Sequence, residues 1–206
     1  MKRMLQLSLV LSGAVLLLGA GTARATTIFN LTSDHCTGGC GTPPFGNITL
    51  NQNGTTVDVT VHLFSPNSFV RTGAADFMAV KFNATGVVVG DITVDQTVAG
   101  ETLQAQTGAL NGDGTGSFVF GIQCVTCANG APGAFDDDLV FHVANATIAD
   151  LIAPNDLGNV FVADIFSDAA LGGTGNTGPV DAVPEPTTAA LFGVGLAGLA
   201  AAMRRR

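Results

Sequence analysis

Residues 57–63, Val-Asp-Val-Thr-Val-His-Leu, alternate apolar and polar positions with a period of two, the signature of a strand that buries one face. A second run lies at 47–51, and Asn53-Gly54 between the two tolerates the positive φ of a tight hairpin turn. The two runs are therefore expected to pair. Further strands are expected over 77–83, 87–94, 103–110, 117–122, 139–144 and 161–166, divided by clusters of Gly, Asn, Asp and Pro. About eight short strands at this spacing predict an all-β fold, an antiparallel β-sandwich. Residues 146–152 fit either a strand or one helical turn, since so short a run carries no decisive period. The stretch 171–183, rich in Gly, Thr and Pro, reads as a linker.

The pattern changes at both ends of the chain. Lys2 and Arg3 precede an apolar run over 7–19, and Ala23 and Ala25 then supply the small residues that a signal peptidase requires. A signal peptide over 1–25 and a mature start near Thr26 are expected. At the other end, Pro184-Glu185-Pro186 precedes 187–203, a stretch without a charge, and the chain closes on Arg204, Arg205 and Arg206. At ~1.5 Å per residue the stretch reaches roughly 25 Å, enough for one transmembrane helix across a thin hydrocarbon core. Terminal arginines resist translocation, which would hold the tip in the cytoplasm and the Pro-Glu-Pro motif at the outer face. The expected organisation is a signal peptide (1–25), a β-sandwich body (26–170), the linker (171–183) and a tail (184–206). The apolar ends also account for a mean hydropathy of +0.43, high for a single soluble domain.

Pro184, Glu185 and Pro186, the Ala/Gly/Leu stretch behind them and the three arginines together resemble the PEP-CTERM sorting domain. The resemblance covers only the last 23 or so residues. It implies a Gram-negative cell, recognition by the membrane peptidase exosortase, and cleavage near the motif. It further implies a transient stay in the inner membrane, then release of the body or its attachment to an extracellular polymer. Such a motif specifies a route and not an activity.

Without its two ends the chain keeps about 158 residues, enough for one domain with a core. This part holds Arg71 and Lys81 as its fixed cations against fifteen acidic residues, a formal charge of −13. That excess excludes nucleic acid and anionic membrane surfaces as favoured partners. There is no Trp or Tyr, and aromatic character rests on thirteen Phe.

Four cysteines occur as Cys36-Thr-Gly-Gly-Cys40 and Cys124-Val-Thr-Cys127. In an exported chain an even count argues for two disulfides, and of the three pairings the two local ones are favoured, because Gly38-Gly39 lets Cys36 and Cys40 approach. Zinc is the competing reading, but the first spacing is wider than C-x₂-C and the compartment is oxidising. A redox role for Cys124 and Cys127 wants a helix start, where Ala-Asn-Gly-Ala-Pro-Gly reads as loop.

Asp136, Asp137 and Asp138, with Asn111-Gly112-Asp113-Gly114 upstream, offer the oxygen ligands calcium prefers, and Asp164 and Asp168 are further candidates. The spacing of an EF-hand loop is missing. No cofactor other than calcium is expected. There is no Gly-x-Ser-x-Gly elbow and no His-Glu-x-x-His, and the body has one glutamate, Glu101. His62 and His142 alternate with apolar residues, as on the outer face of strands, and His35 stands alone. Asn-x-Thr strings at Asn30, Asn47, Asn53, Asn83 and Asn145 read as turn chemistry.

These observations lead to an expected non-catalytic surface or extracellular-matrix protein, associated with exopolysaccharide or biofilm and processed by exosortase. The alternative is a carbohydrate-binding or adhesive β-sandwich module, calcium-dependent if the aspartates bind, with extracellular polysaccharide as its partner. Sugar binding commonly uses exposed aromatic faces, and the body has no Trp or Tyr for that.

Overall fold

The computed structural model describes residues 25–72 and 77–182. The expected signal peptide (apart from Ala25), the Pro-Glu-Pro motif, the expected transmembrane helix over 187–203 and the terminal arginines lie outside the described residues. Among the described residues, no helix is long and apolar enough to cross a membrane.

The hairpin read from the alternation forms as expected. β3 (Gly46–Asn53) and β4 (Thr56–Leu63) pair antiparallel around Gly54, whose φ of 62° takes the left-handed turn. Val57, Val59, Val61 and Leu63 are buried, and the residues between them face out. β1 (Thr26–Leu31) pairs with β3, while β10 (Leu139–Ala144) joins β4 to the short β7 (Ile92–Val94). The resulting five-stranded sheet has the order β1-β3-β4-β10-β7.

The second sheet has the order β2-β12-β11-β6-β9-β8 and is likewise antiparallel. Its strands are β2 (Ser33–Asp34), β6 (Val80–Phe82), β8 (Leu103–Asn111), β9 (Ser117–Cys124), β11 (Phe161–Ser167) and β12 (Thr177–Ala182). β5 (Asn67–Phe69) pairs with the far end of β11, on the same edge that β6 occupies nearer its start. On either side of residues 73–76, the Val70 N–H donates to the Asp164 C=O and the Ala79 C=O accepts from the Asp164 N–H.

One core joins the two sheets. The Phe82 ring lies 5.1 Å from that of Phe141 across the interface and 5.8 and 5.9 Å from Phe120 and Phe161 within its own sheet. Phe29 reaches Phe161 at 5.9 Å. A smaller cluster of Met78, Leu110, Phe118 and Val162 forms a separate buried group.

Two expectations are revised. Residues 171–183 are not a free linker, since Thr177–Ala182 is the buried strand β12, bonded to β11 over its whole length. Its glycine has a positional reason, since a Cβ on Gly178 would lie 2.5 Å from the Cα of Cys36; the next residue, Pro179, accepts from the His35 N–H through its carbonyl. The run 87–94 is a strand only over Ile92–Val94, preceded by a single 3₁₀ turn, Val89–Asp91. The undecided segment becomes one helical turn, α1 (Ile148–Leu151), which begins where the Thr147 N–H donates to Asp150.

Candidate functional site

The two expected processing points meet the folded body at its margins. β1 starts at Thr26, and β12 ends at Ala182, two residues before Pro184. The motif thus follows directly from a strand anchored in the second sheet.

The cysteines form the two local disulfides, Cys36–Cys40 and Cys124–Cys127, and no described cysteine is free. Each is held by its surroundings. Asp34 accepts from the N–H of Cys36 at 2.9 Å and of Cys40 at 2.8 Å, so its carboxylate fixes the first loop. Arg71 donates to the carbonyls of Val125 and Cys127 and braces the second. Among the described residues, the groups of three converging ligand-type side chains are Asp34 with Cys36 and Cys40, and Glu101 with Cys124 and Cys127. Their sulfurs are spent in disulfides and offer no thiolate to a metal.

Asp136, Asp137 and Asp138 are exposed, and none of them belongs to a group of three converging ligand-type side chains among the described residues. Asp138 instead lies 2.6 Å from Nδ1 of His62. The Asn111-Gly112-Asp113-Gly114 string forms the turn of the β8–β9 hairpin, with Asp113 at φ 50° and its N–H bonded to the Asn111 side chain. The two acidic strings therefore sit at opposite ends of β9. Asp164, 1% exposed, is occupied by Lys81 Nζ at 2.9 Å and the Thr72 hydroxyl at 3.1 Å. Asp168 caps the 3₁₀ turn Ala169–Leu171 by accepting from the Ala170 N–H.

The histidines of the five-stranded sheet face outward as the alternation predicts. His142 stands between two carboxylates, with Nδ1 2.7 Å from Asp58 and Nε2 3.3 Å from Asp95. The Asp58 hydrogen bond raises its pKa above the ordinary imidazole value; partial burial opposes this and Asp95 adds to it. The ring links β4, β10 and the segment after β7.

His35 lies on the other sheet, where Nε2 is 3.0 Å from Asp181 and 3.2 Å from the Ser33 hydroxyl. Sequence reading missed this group, because Asp181 belongs to a strand taken for a linker. Burial pushes the Asp181 carboxyl up, against the lowering effect of His35 and Ser33. Serine, histidine and aspartate meet here, yet both oxygens contact the same ring nitrogen. A relay needs the hydroxyl on one nitrogen and the carboxylate on the other, so the trio cannot pass a proton from Ser33 through the ring to Asp181.

Comparison with known proteins adds one assignment. Residues 182–206 match the family model of the PEP-CTERM protein-sorting motif. No curated protein and no solved structure matches the chain. The matched segment opens at Ala182, the last residue of β12, so body and motif share a boundary with no spacer between them. The chain is thus a protein carrying a C-terminal PEP-CTERM sorting motif, which directs it to exosortase and export.

Proposed function

We propose that the protein is a non-catalytic component of the cell surface or extracellular matrix, delivered by export and freed from its tail by exosortase. The observation that carries this reading is the sorting motif placed directly behind a folded, doubly disulfide-bonded body. Three further features support it. The His35 group lacks the geometry of a relay, His62 and His142 are each held by aspartates on an open sheet face, and the acidic strings do not meet.

A sugar-binding role would use the outer face of the five-stranded sheet. There Asn47, Thr49, Asn51, Asp58, Thr60 and His62 present neighbouring hydrogen-bonding groups on β3 and β4. Among the described residues the Phe rings are buried or half-buried, so a sugar would find chiefly polar partners there. This favours the matrix reading over the lectin-like one.

Intact-mass measurement tests the proposal. Protein from cells with exosortase should begin near Thr26 and end close to Pro184, and cells without the peptidase should retain the tail. Replacing Pro184 and Pro186 by Ala should reproduce the retained tail, whereas the same change at Pro43 and Pro44 should not. A mature protein that keeps Arg206 in exosortase-bearing cells would falsify the processing. Turnover of a glycan, ester or peptide by the purified protein would overturn the non-catalytic assignment.

A further inference from the structure

Lys81 is the unusual residue of the second sheet. It is one of two fixed cations in the body, yet it lies at the centre of β6 with 0% exposure. Lysine is among the residues least often buried, so its surroundings must account for it. The ladder sets Val162 of β11 on one side of it and Gly121 of β9 on the other. Gly121 leaves room that Met78 and Leu110 fill, since a Cβ there would lie 2.6 Å from the Met78 side chain and 3.0 Å from that of Leu110. Met78 and Leu110 join Phe118 and Val162 in the small apolar cluster on this face. The Lys81 side chain therefore runs through an enclosure with hydrocarbon walls.

Asp164 is the group it meets there. It stands two residues beyond Val162 on the same face of β11, a diagonal that a side chain as long as lysine spans. Nζ lies 2.9 Å from Oδ2, and the two side chains are 1% and 0% exposed. Asp164 is held at three points. Its N–H donates to the Ala79 carbonyl, its C=O accepts from the Val70 N–H, and the Thr72 hydroxyl donates to Oδ2 at 3.1 Å.

These are the parts of an amide-forming site. A desolvated lysine amine is a nucleophile, and the carboxyl carbon beside it is an electrophile. Thr72 donates to an oxygen on which negative charge gathers during attack. Holding two reactants in contact acts like an effective concentration of about 10⁵–10⁸ M in the most favourable intramolecular reactions. Burial drives the same way, because two enclosed ions carry a desolvation cost that a neutral amide does not. The other buried carboxyl of this sheet, Asp181, meets the His35 ring and no amine.

We propose that Lys81 and Asp164 condense into an intramolecular isopeptide bond that ties β6 to β11. The ion pair is the state from which the bond forms. A proton passes from the ammonium group to the carboxylate, and the lone pair freed on Nζ attacks Cγ. The Nζ–Cγ bond forms, the Cγ–Oδ1 bond breaks, and Oδ1 leaves as water with the two protons that the nitrogen gives up. Oδ2 remains as the amide carbonyl, where Thr72 already donates. No oxidant or other reactant enters, and both charges disappear. The link joins residues 83 apart in the chain, and reductants that open the two disulfides leave it closed.

Mass spectrometry of the mature protein tests the bond, and it needs only the folded body, whatever becomes of the tail. The intact mass should fall one water short of the sequence with two disulfides. After reduction and denaturation, trypsin should cut behind Arg71 and spare Lys81, because an acylated lysine is no longer a substrate. Lys81→Arg, which keeps a cation but supplies no amine nucleophile, should restore the missing water and the cut at that position. A wild-type protein of full mass that trypsin cuts behind Lys81 overturns the proposal. A missing water that persists in Lys81→Arg, or that accompanies cleavage behind Lys81 in wild type, also overturns it, by placing the dehydration elsewhere in the chain. If the variant does not fold, the wild-type mass and digest decide between these outcomes.

Discussion

The two sheets treat their outer faces differently. In the five-stranded sheet β4 alternates strictly, with valines inside and Asp58, Thr60 and His62 outside, and β10 repeats the rule with His142. In the second sheet β11 is buried on both faces at its centre: Phe161, Ala163 and Ile165 join the main core, while Val162 and Asp164 are covered on the other side. Cover comes from Thr72, which reaches Asp164, and from Met78, which belongs to the cluster with Val162. The consequence is energetic. The first sheet places its ionic groups where water screens them, whereas the second encloses Lys81, Asp164 and Asp181 at 0%, 1% and 1% exposure.

Charge removal should separate the two sheets. Replacing Lys81 by Met leaves Asp164 buried without its cation, and should lower the unfolding free energy by about 3–5 kcal/mol. Urea titration checks this, and adding Asp164→Leu should recover much of the loss, because an apolar pair does not carry the desolvation cost of an orphaned carboxylate. A double variant as unstable as the single one would show that Asp164 is held chiefly by other groups.

Next in size are the disulfides, which tie loops in the second sheet's surroundings. Mass spectrometry of the mature protein without reductant should find no alkylatable thiol. Each bridge closes a very short loop, so replacing either pair by Ser should cost about 2 kcal/mol, at the low end for such links. Four alkylatable cysteines would contradict the pairing described above.

The smallest effect belongs to the first sheet. The folded pKa of His142 is raised, so its contribution is fully present below the unfolded imidazole value, about 6.5, and is lost as pH rises through the folded one. Solvent screening of a partly exposed group limits it to about 0.5 kcal/mol. His142→Gln should flatten this part of the stability–pH curve. An unchanged curve would mean that the ring is not charged between Asp58 and Asp95.

The same contrast explains what the sequence discloses. The strands 139–144 and 57–63 were legible because one face is wet and the alternation survives. β11 was legible only as an apolar run, and its partner β12 was not legible at all. Thr-Gly-Pro-Val-Asp-Ala has the composition of a linker, and neither the close approach of Gly178 to Cys36 nor the pairing of Asp181 with His35 leaves a local signal. β1, β2 and β5 were missed because short edge runs carry too few residues for a period. The sorting motif was readable in full, since a peptidase must recognise it as sequence. The His142 bridge was half readable, as outward position follows from alternation but the choice of aspartates does not.

The place of β12 bears on the timetable of synthesis. It is the last of the described strands in chain order, and it docks between β11 and β2, which lie far apart in the chain. Until Thr177–Ala182 arrives, Phe161, Val162 and Ala163 line an unfinished edge, so a chain interrupted in its final stretch presents apolar backbone to its neighbours and to proteases. Completion of the sheet and emergence of the sorting signal are therefore nearly one event. A body that has closed is one whose address has been, or is just about to be, translated, and unfinished chains lack both.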